Sequence, residues 1–144
     1  MEVAVKKAYF IGLFSLVMFC LICAYSFAGD AEKDALKAAE QWLALIDAGD
    51  YGGSWEAASE LSKKSVSKEM WIQSIKAVRS AMGDLISRSV AAAQYATSLP
   101  GAPDGEYVVI QYQTSFQNKK SAIETITPML DAAGTWRVAG YFIK

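Results

Sequence analysis

"EYVVIQYQTSFQNKKSAIETIT", residues 106–127, is two alternating runs separated by a short polar break. Val108, Ile110 and Tyr112 recur at every second position, the period of a strand whose two faces meet different surroundings. The second run repeats the pattern but places a carboxylate, Glu124, among small and apolar neighbours. The turn between the runs decides which face that carboxylate occupies. If Asn118-Lys119 is a two-residue turn, Gln117 faces Lys120 and Gln113 falls opposite Glu124. A three-residue turn over 118–120 puts Thr114 opposite Glu124 and moves it to the face of Tyr112 and Phe116. A slip of one residue inverts every side chain. The two-residue turn collects more apolar side chains on one face, and it is the expected register.

Two further strands flank this hairpin. The expected spans are 85–97, 106–117, 120–130 and 135–143, and "LPGAPDGE" supplies dense turn chemistry between the first two. "DAAG" closes the last hairpin, with Gly134 free to take positive φ. Taken as a four-residue loop, it sets Leu130 opposite Thr135 and Tyr141 opposite Glu124. One face then carries Val108, Ile110, Tyr112, Ile123, Met129, Trp136, Val138 and Phe142. The other carries Gln111, Gln113, Glu124, Arg137 and Tyr141, with Val109, Ile126, Ala139 and Ile143 among them.

The residues before the strands read as helix. Leu36, Ala39, Leu43 and Ile46 recur at steps of three and four, with Trp42 beside the stripe. Asp30, Glu32 and Asp34 suit the positive end of that helix, and Gly49 suits its stop. A short second helix follows near Ser54. A third begins after Ser67, with Trp71, Ile75, Val78 and Met82 as its apolar face and Gly83 as its end. Three helices on one face of a four-stranded antiparallel meander make an α+β domain.

The first 28 residues read as a targeting segment. Lys6 and Lys7 precede an uncharged run of 21 residues from Ala8 to Ala28, and "SFA" offers a signal-peptidase site. The alternative is an uncleaved anchor, since about 20 apolar residues span a bilayer. In both cases the rest of the chain, 29–144, is one domain delivered outside the cytoplasm, periplasmic or secreted, or anchored to the inner membrane and facing outward. Only an uncleaved segment would keep it at a membrane. Both cysteines, Cys20 and Cys23, lie in that segment, and neither follows the small residue a lipidation site needs.

Without residues 1–28 the chain has 12 Lys+Arg (14 − 2) and 14 Asp+Glu (15 − 1), a net charge of −2. The charges are interspersed, so nucleic-acid binding has no electrostatic footprint. The chain has no histidine. That removes Ser-His and Cys-His nucleophile pairs, imidazole bases and nearly all zinc or copper sites. No metal or other cofactor is implied.

"AEQWLALIDAGDYGGSWEAAS", "PGAPDGEYVVIQYQTSFQNKKSAIETIT" and "GTWRVAGYFIK" together resemble a bacterial family called domain of unknown function 4019. The resemblance covers nearly all of 29–144. It implies an exported α+β domain of the cystatin-like or nuclear-transport-factor-2-like type, and no particular reaction.

The candidate site residues are Glu124, Gln113 and Tyr141, with Arg88 reaching them from the first strand. They could form a small ligand-binding site or, more simply, a solvated sheet face. Trp42, Trp55, Trp71 and Trp136 could line a pocket, but their spacing makes most of them core. Asp104 and Glu106 offer too few oxygens for calcium. Asp47 and Asp50 read as helix-end residues. Two functions remain: a non-catalytic module binding a small ligand or partner protein, or a small enzyme using carboxylate, Tyr or Arg groups between helices and sheet. The mixed outer face, with Val109, Ile126, Ala139, Tyr141 and Ile143, suggests a homodimer. Glu124 is expected to be a polar anchor that Glu124→Gln leaves nearly intact.

Overall fold

A computed structural model describes residues 29–144. The expected targeting segment, with Cys20 and Cys23, lies outside the described residues. The compact unit runs from Glu32 to Lys144, and no helix among the described residues is long and apolar enough to cross a membrane.

Among the described residues, four helices precede the sheet. Helix α1 (29–47) buries Ala35, Ala39, Trp42, Leu43 and Ile46 along one stripe. Trp42 lies within the stripe, not beside it. Gly49, at φ +76°, ends the helix in the left-handed conformation that other residues rarely adopt. The expected second helix is two. Helix α2 (Tyr51–Ala57) is capped by Asp50, whose carboxylate accepts from Gly53 N, and α3 (Glu60–Ser65) is capped by Ser59. The break between them has a physical reason. Ala58 and Ser59 are extended, so Ser59 N donates to the Val138 carbonyl at 2.8 Å instead of continuing the helix. Helix α4 (Lys68–Met82) starts at the Ser67 cap and stops at Gly83, φ +74°. Its buried residues are Ile75 and Arg79, whereas Val78, expected on the apolar face, is exposed.

The sheet is an antiparallel meander in the order β1 (Leu85–Ala96), β2 (Tyr107–Phe116), β3 (Ala122–Leu130) and β4 (Trp136–Ile143). Val108, Ile110, Tyr112, Ile126 and Val138 form one core with the α1 stripe and Ile75. Burying side chains such as Leu43 or Ile110 contributes roughly 1.5–3 kcal/mol each.

The register of the central hairpin differs from the expected one. Tyr112 pairs with Glu124 and Gln113 with Ile123. Phe116 and Lys119 exchange backbone hydrogen bonds, so the two-residue loop is Gln117-Asn118, one position earlier than expected. Thr114 pairs with Ala122, which leaves one extra residue on the returning side. The cause is tertiary. Gln117 N donates to Asp84 O, and Asn118 N donates to Met82 O, so the hairpin tip satisfies carbonyls at and just past the end of α4. Gly83 permits that approach: a Cβ there would stand 3.0 Å from both Gln117 and Asn118.

The shift turns β3 over. Glu124 and Ile126 face the helices, while Ile123 and Met129 belong to the outer face. The last hairpin is longer than expected, with Leu130 opposite Trp136 around a five-residue loop, Asp131 to Thr135. Pro128 has no N–H for the ladder, and a bulge lies between Thr127 and Pro128. Tyr141 therefore pairs with Ile126, turns inward with it, and leaves Phe142 pointing outward, 58% exposed. The apolar residues that suggested an outer-face dimer are thus divided: Ile126, Tyr141 and Ile143 face in, Val109 remains outside with Phe142, and Ala139 falls at the bulge without a pair.

Candidate functional site

Glu124 is the centre of a polar network inside the sheet, with none of its surface exposed. Its Oε2 accepts from Arg88 Nε at 2.5 Å and from Thr114 Oγ1 at 2.6 Å. Its Oε1 accepts from Tyr141 Oη at 2.6 Å and from Arg88 Nη2 at 3.1 Å. Four donors fill both oxygens, as a buried carboxylate requires. Strand geometry delivers each of them. Arg88 pairs with Thr114 across β1–β2, Thr114 is diagonal to Glu124 across β2–β3, and Tyr141 is diagonal to it across β3–β4.

Arg88 then reaches a second carboxylate at the end of α1. Its Nη1 donates to Asp47 Oδ2 at 2.6 Å, and its Nη2 to Oδ1 at 3.0 Å. Arg79, from α4, donates to the same Oδ1 at 2.9 Å. An aspartate at a helix C-terminus sits against the negative end of the macrodipole, and these two guanidiniums offset that cost. Burial would raise the Asp47 carboxyl, but Arg88 and then Arg79 outweigh it and hold it below its ordinary value. Burial also works against the charge of Arg88, yet its two carboxylates hold the proton on it more firmly than usual.

Aromatic side chains enclose this cluster. Arg79 lies over the Phe116 ring at 5.0 Å, and Tyr141 meets Trp42 edge-on at 5.2 Å. Trp42 and Trp71 both donate to Ser54, at its carbonyl and its hydroxyl respectively, which pins α2 beneath them. Burial, followed by the nearby Glu124 charge, pushes the Tyr141 phenol far above its ordinary value, so it stays a donor.

Asp47 also separates two clefts. One, of about 720 Å³, opens between the end of α1 and the start of β1, with Tyr51, Arg79 and Asp84 on its walls. The other, of about 290 Å³, lies between α1 and the β1–β2 pair, with Glu40, Arg88 and Tyr112 on its walls. Among the described residues no group of three Asp, Glu, His or Cys side chains could hold a metal ion.

Three of the four expected site residues, Arg88, Glu124 and Tyr141, are therefore together. Gln113 is not: it lies on the opposite face, where its amide reaches only Ser121 Oγ and the Ala122 carbonyl at 3.4 Å. Thr114 takes the place it was expected to fill. Asp47 and Arg79 went unassigned as site residues, whereas Thr114 and Tyr112 share the face of Glu124, as they would have with the three-residue turn that was not preferred. Arg79 left a readable trace, since it follows Ile75 by four residues and so interrupts an apolar stripe with a charge.

A family model described as Protein of unknown function (DUF4019) matches residues 38–141. The chain belongs to that family. No curated protein matches it. The matched span holds every member of the DUF4019 network, from Asp47 on α1 to Tyr141 on β4. It also takes in both clefts that Asp47 separates.

Proposed function

We propose that this DUF4019 chain is an exported, non-catalytic binding module of the cystatin-like type, whose ligand surface is the cleft region around Asp47. The observation that carries the non-catalytic reading is the state of Glu124. A general base must come within hydrogen-bond reach of the proton it takes. Glu124 is sealed from solvent, and all its acceptor positions are filled by Arg88, Thr114 and Tyr141. It holds the sheet and Arg88 in place, and Arg88 in turn fixes Asp47 at the mouth of two clefts. Export is supported by Lys6, Lys7, the uncharged run and the small-residue site.

Thermal-shift screening of protein recovered from cells expressing the full chain, with and without divalent metal, tests the binding reading. A ligand that binds only the folded chain raises its midpoint. The expected hit loses its effect in Asp47→Asn. Metal-dependent turnover that Glu124→Gln abolishes in a still-folded chain would overturn the reading. Export is tested separately, by intact mass: a chain beginning at Gly29 supports cleavage, and retained Met1 supports an anchor.

A further inference from the structure

The smaller cleft is lined by Tyr112, whose hydroxyl the rest of the fold leaves unsatisfied. Tyr112 is 2% exposed, and its hydroxyl has no hydrogen-bond partner. Buried polar groups nearly always find partners, so an orphan of this kind calls for an explanation. Its ring lines the 290 Å³ cleft, and the charges that act on its hydroxyl are Glu40, Arg88 and Glu124. Arg88 cannot readily turn to a newcomer, because four of its five N–H donors are committed to Asp47 and Glu124. Glu40 is different. It is exposed on α1, and among the described residues it enters no ion pair or side-chain hydrogen bond.

The charge balance points the same way. The walls of the cleft carry two carboxylates, Glu40 and Asp47, against one cation, Arg88. The walls are net negative by one charge. Asp47 also borders the cleft, and among the described residues its Oδ2 accepts only from Arg88 Nη1 and keeps acceptor capacity. Leu43, Ala44 and Val90 complete the walls with apolar surface.

We propose that this cleft binds a small primary ammonium ligand with a short aliphatic body. The reading rests on the proposal that the Asp47 region is a binding surface. An ammonium has three donors and no acceptor, and the cleft offers the matching set: Glu40 as counter-ion, Tyr112 Oη and Asp47 Oδ2. The aliphatic body packs on Leu43, Ala44 and Val90. Because the hydroxyl is sealed, entry requires an exposed side chain at the mouth, Glu40 or Val90, to move aside.

The test is amide-resolved NMR on protein recovered from cells expressing the full chain, titrated with n-butylammonium, n-butanol and butyrate. Expected are saturable shifts at residues 40–44, 90 and 112 with n-butylammonium only. Tyr112→Phe should weaken that binding about tenfold, the scale of one hydrogen bond to a charged group. Glu40→Gln should weaken it a few-fold, roughly the worth of a partly exposed ion pair. Tyr112→Phe removes an orphan hydroxyl and should keep its thermal midpoint, so a loss of binding with the midpoint retained is a lost contact and not unfolding. Equal response to n-butanol, or unchanged affinity in Tyr112→Phe, would overturn the ammonium assignment. Shifts at the same residues with butyrate alone would overturn it while leaving the binding surface standing. No saturable shift with any of the three would count against both.

Discussion

Arg88 Nε stands 2.5 Å from Glu124 Oε2, in a pair whose arginine side chain is 13% exposed and whose glutamate is not exposed at all. Such a pair is not a source of net stability by its existence, because desolvating both charges costs about as much as their attraction returns. Removing one partner is another matter, since the other charge is then left buried. Glu124→Gln should therefore destabilise the domain by about 3 kcal/mol, not leave it nearly intact as its alternating sequence suggests. Chemical denaturation reads this directly. Arg88→Met combined with Glu124→Leu should recover much of the loss, and a double variant as unstable as the single would refute the buried-charge account.

Tyr112→Phe is expected to act in the opposite direction. A buried hydroxyl without a partner carries its desolvation cost with no hydrogen bond to offset it. Deleting it should leave stability unchanged or raise it by up to about 1 kcal/mol. A thermal midpoint clearly below that of the parent would mean that the hydroxyl has a structural partner.

Stability should decline at both ends of the pH range, for different reasons. Asp47 titrates below its ordinary 3.8 in the folded chain, because Arg88 and Arg79 outweigh its burial. The folded state then binds that proton less readily than the unfolded state does. The corresponding stability is present above about pH 4 and is lost as pH falls through the folded value. Tyr112 is pushed up to about 12, and Tyr141 is raised further above the ordinary 10.0, both chiefly by burial. Their stability is present below about pH 10 and is lost as pH rises beyond it. Denaturant midpoints measured across this range should show a plateau with two falling limbs. Asp47→Asn should flatten the acid limb and leave the alkaline one in place.

The legible part of this fold was its periodicity. Alternation in 106–127 marked two strands, the α1 stripe marked a helix, Gly49 and Gly83 end their helices as expected, and Gly134 takes the positive φ expected of it. What the sequence hid was register, because the decisive interactions are not local. The tip of the β2–β3 hairpin is placed by its hydrogen bonds to Met82 and Asp84, more than thirty residues earlier in the chain. Tyr141 was correctly grouped with Glu124 even though both hairpin registers were displaced: the longer last loop and the Pro128 bulge together shift β4 by two positions, which preserves its face relative to β3. Gln113 was lost for the complementary reason, a shift of one. Asp47 carried no local mark beyond its place at a helix end.

The break between α2 and α3 supplies a modest but separable prediction. Ser59 is buried, its hydroxyl accepts from Ser62 N at 3.1 Å, and its own N–H holds Val138. Ser59→Ala keeps the backbone contact and removes only the cap, so it should cost about 1 kcal/mol. Ser59→Pro removes the N–H as well and should cost clearly more. Equal losses in the two would mean that the tie to β4 contributes nothing.

Neighbouring residues on β4 allow the face assignment itself to be tested. Tyr141 and Phe142 are adjacent aromatics, yet one donates to Glu124 and meets Trp42 while the other points outward at 58% exposure. Tyr141→Glu would bury a second carboxylate beside Glu124 with no free cation to meet it, because Arg88 and Arg79 are already bound to Asp47 and Glu124. That change should prevent folding or cost more than about 4 kcal/mol. Phe142→Glu places its charge in water and should shift stability by only about 0.5 kcal/mol. Tyr141→Phe lies between them, because it keeps the ring against Trp42 and deletes one hydrogen bond to a charged acceptor, a loss of about 1.5–3 kcal/mol. Denaturation of the three variants should thus rank Phe142→Glu mildest and Tyr141→Glu most severe. The reverse order would place Tyr141 on the outer face, and the network around Glu124 would have to be redrawn without it.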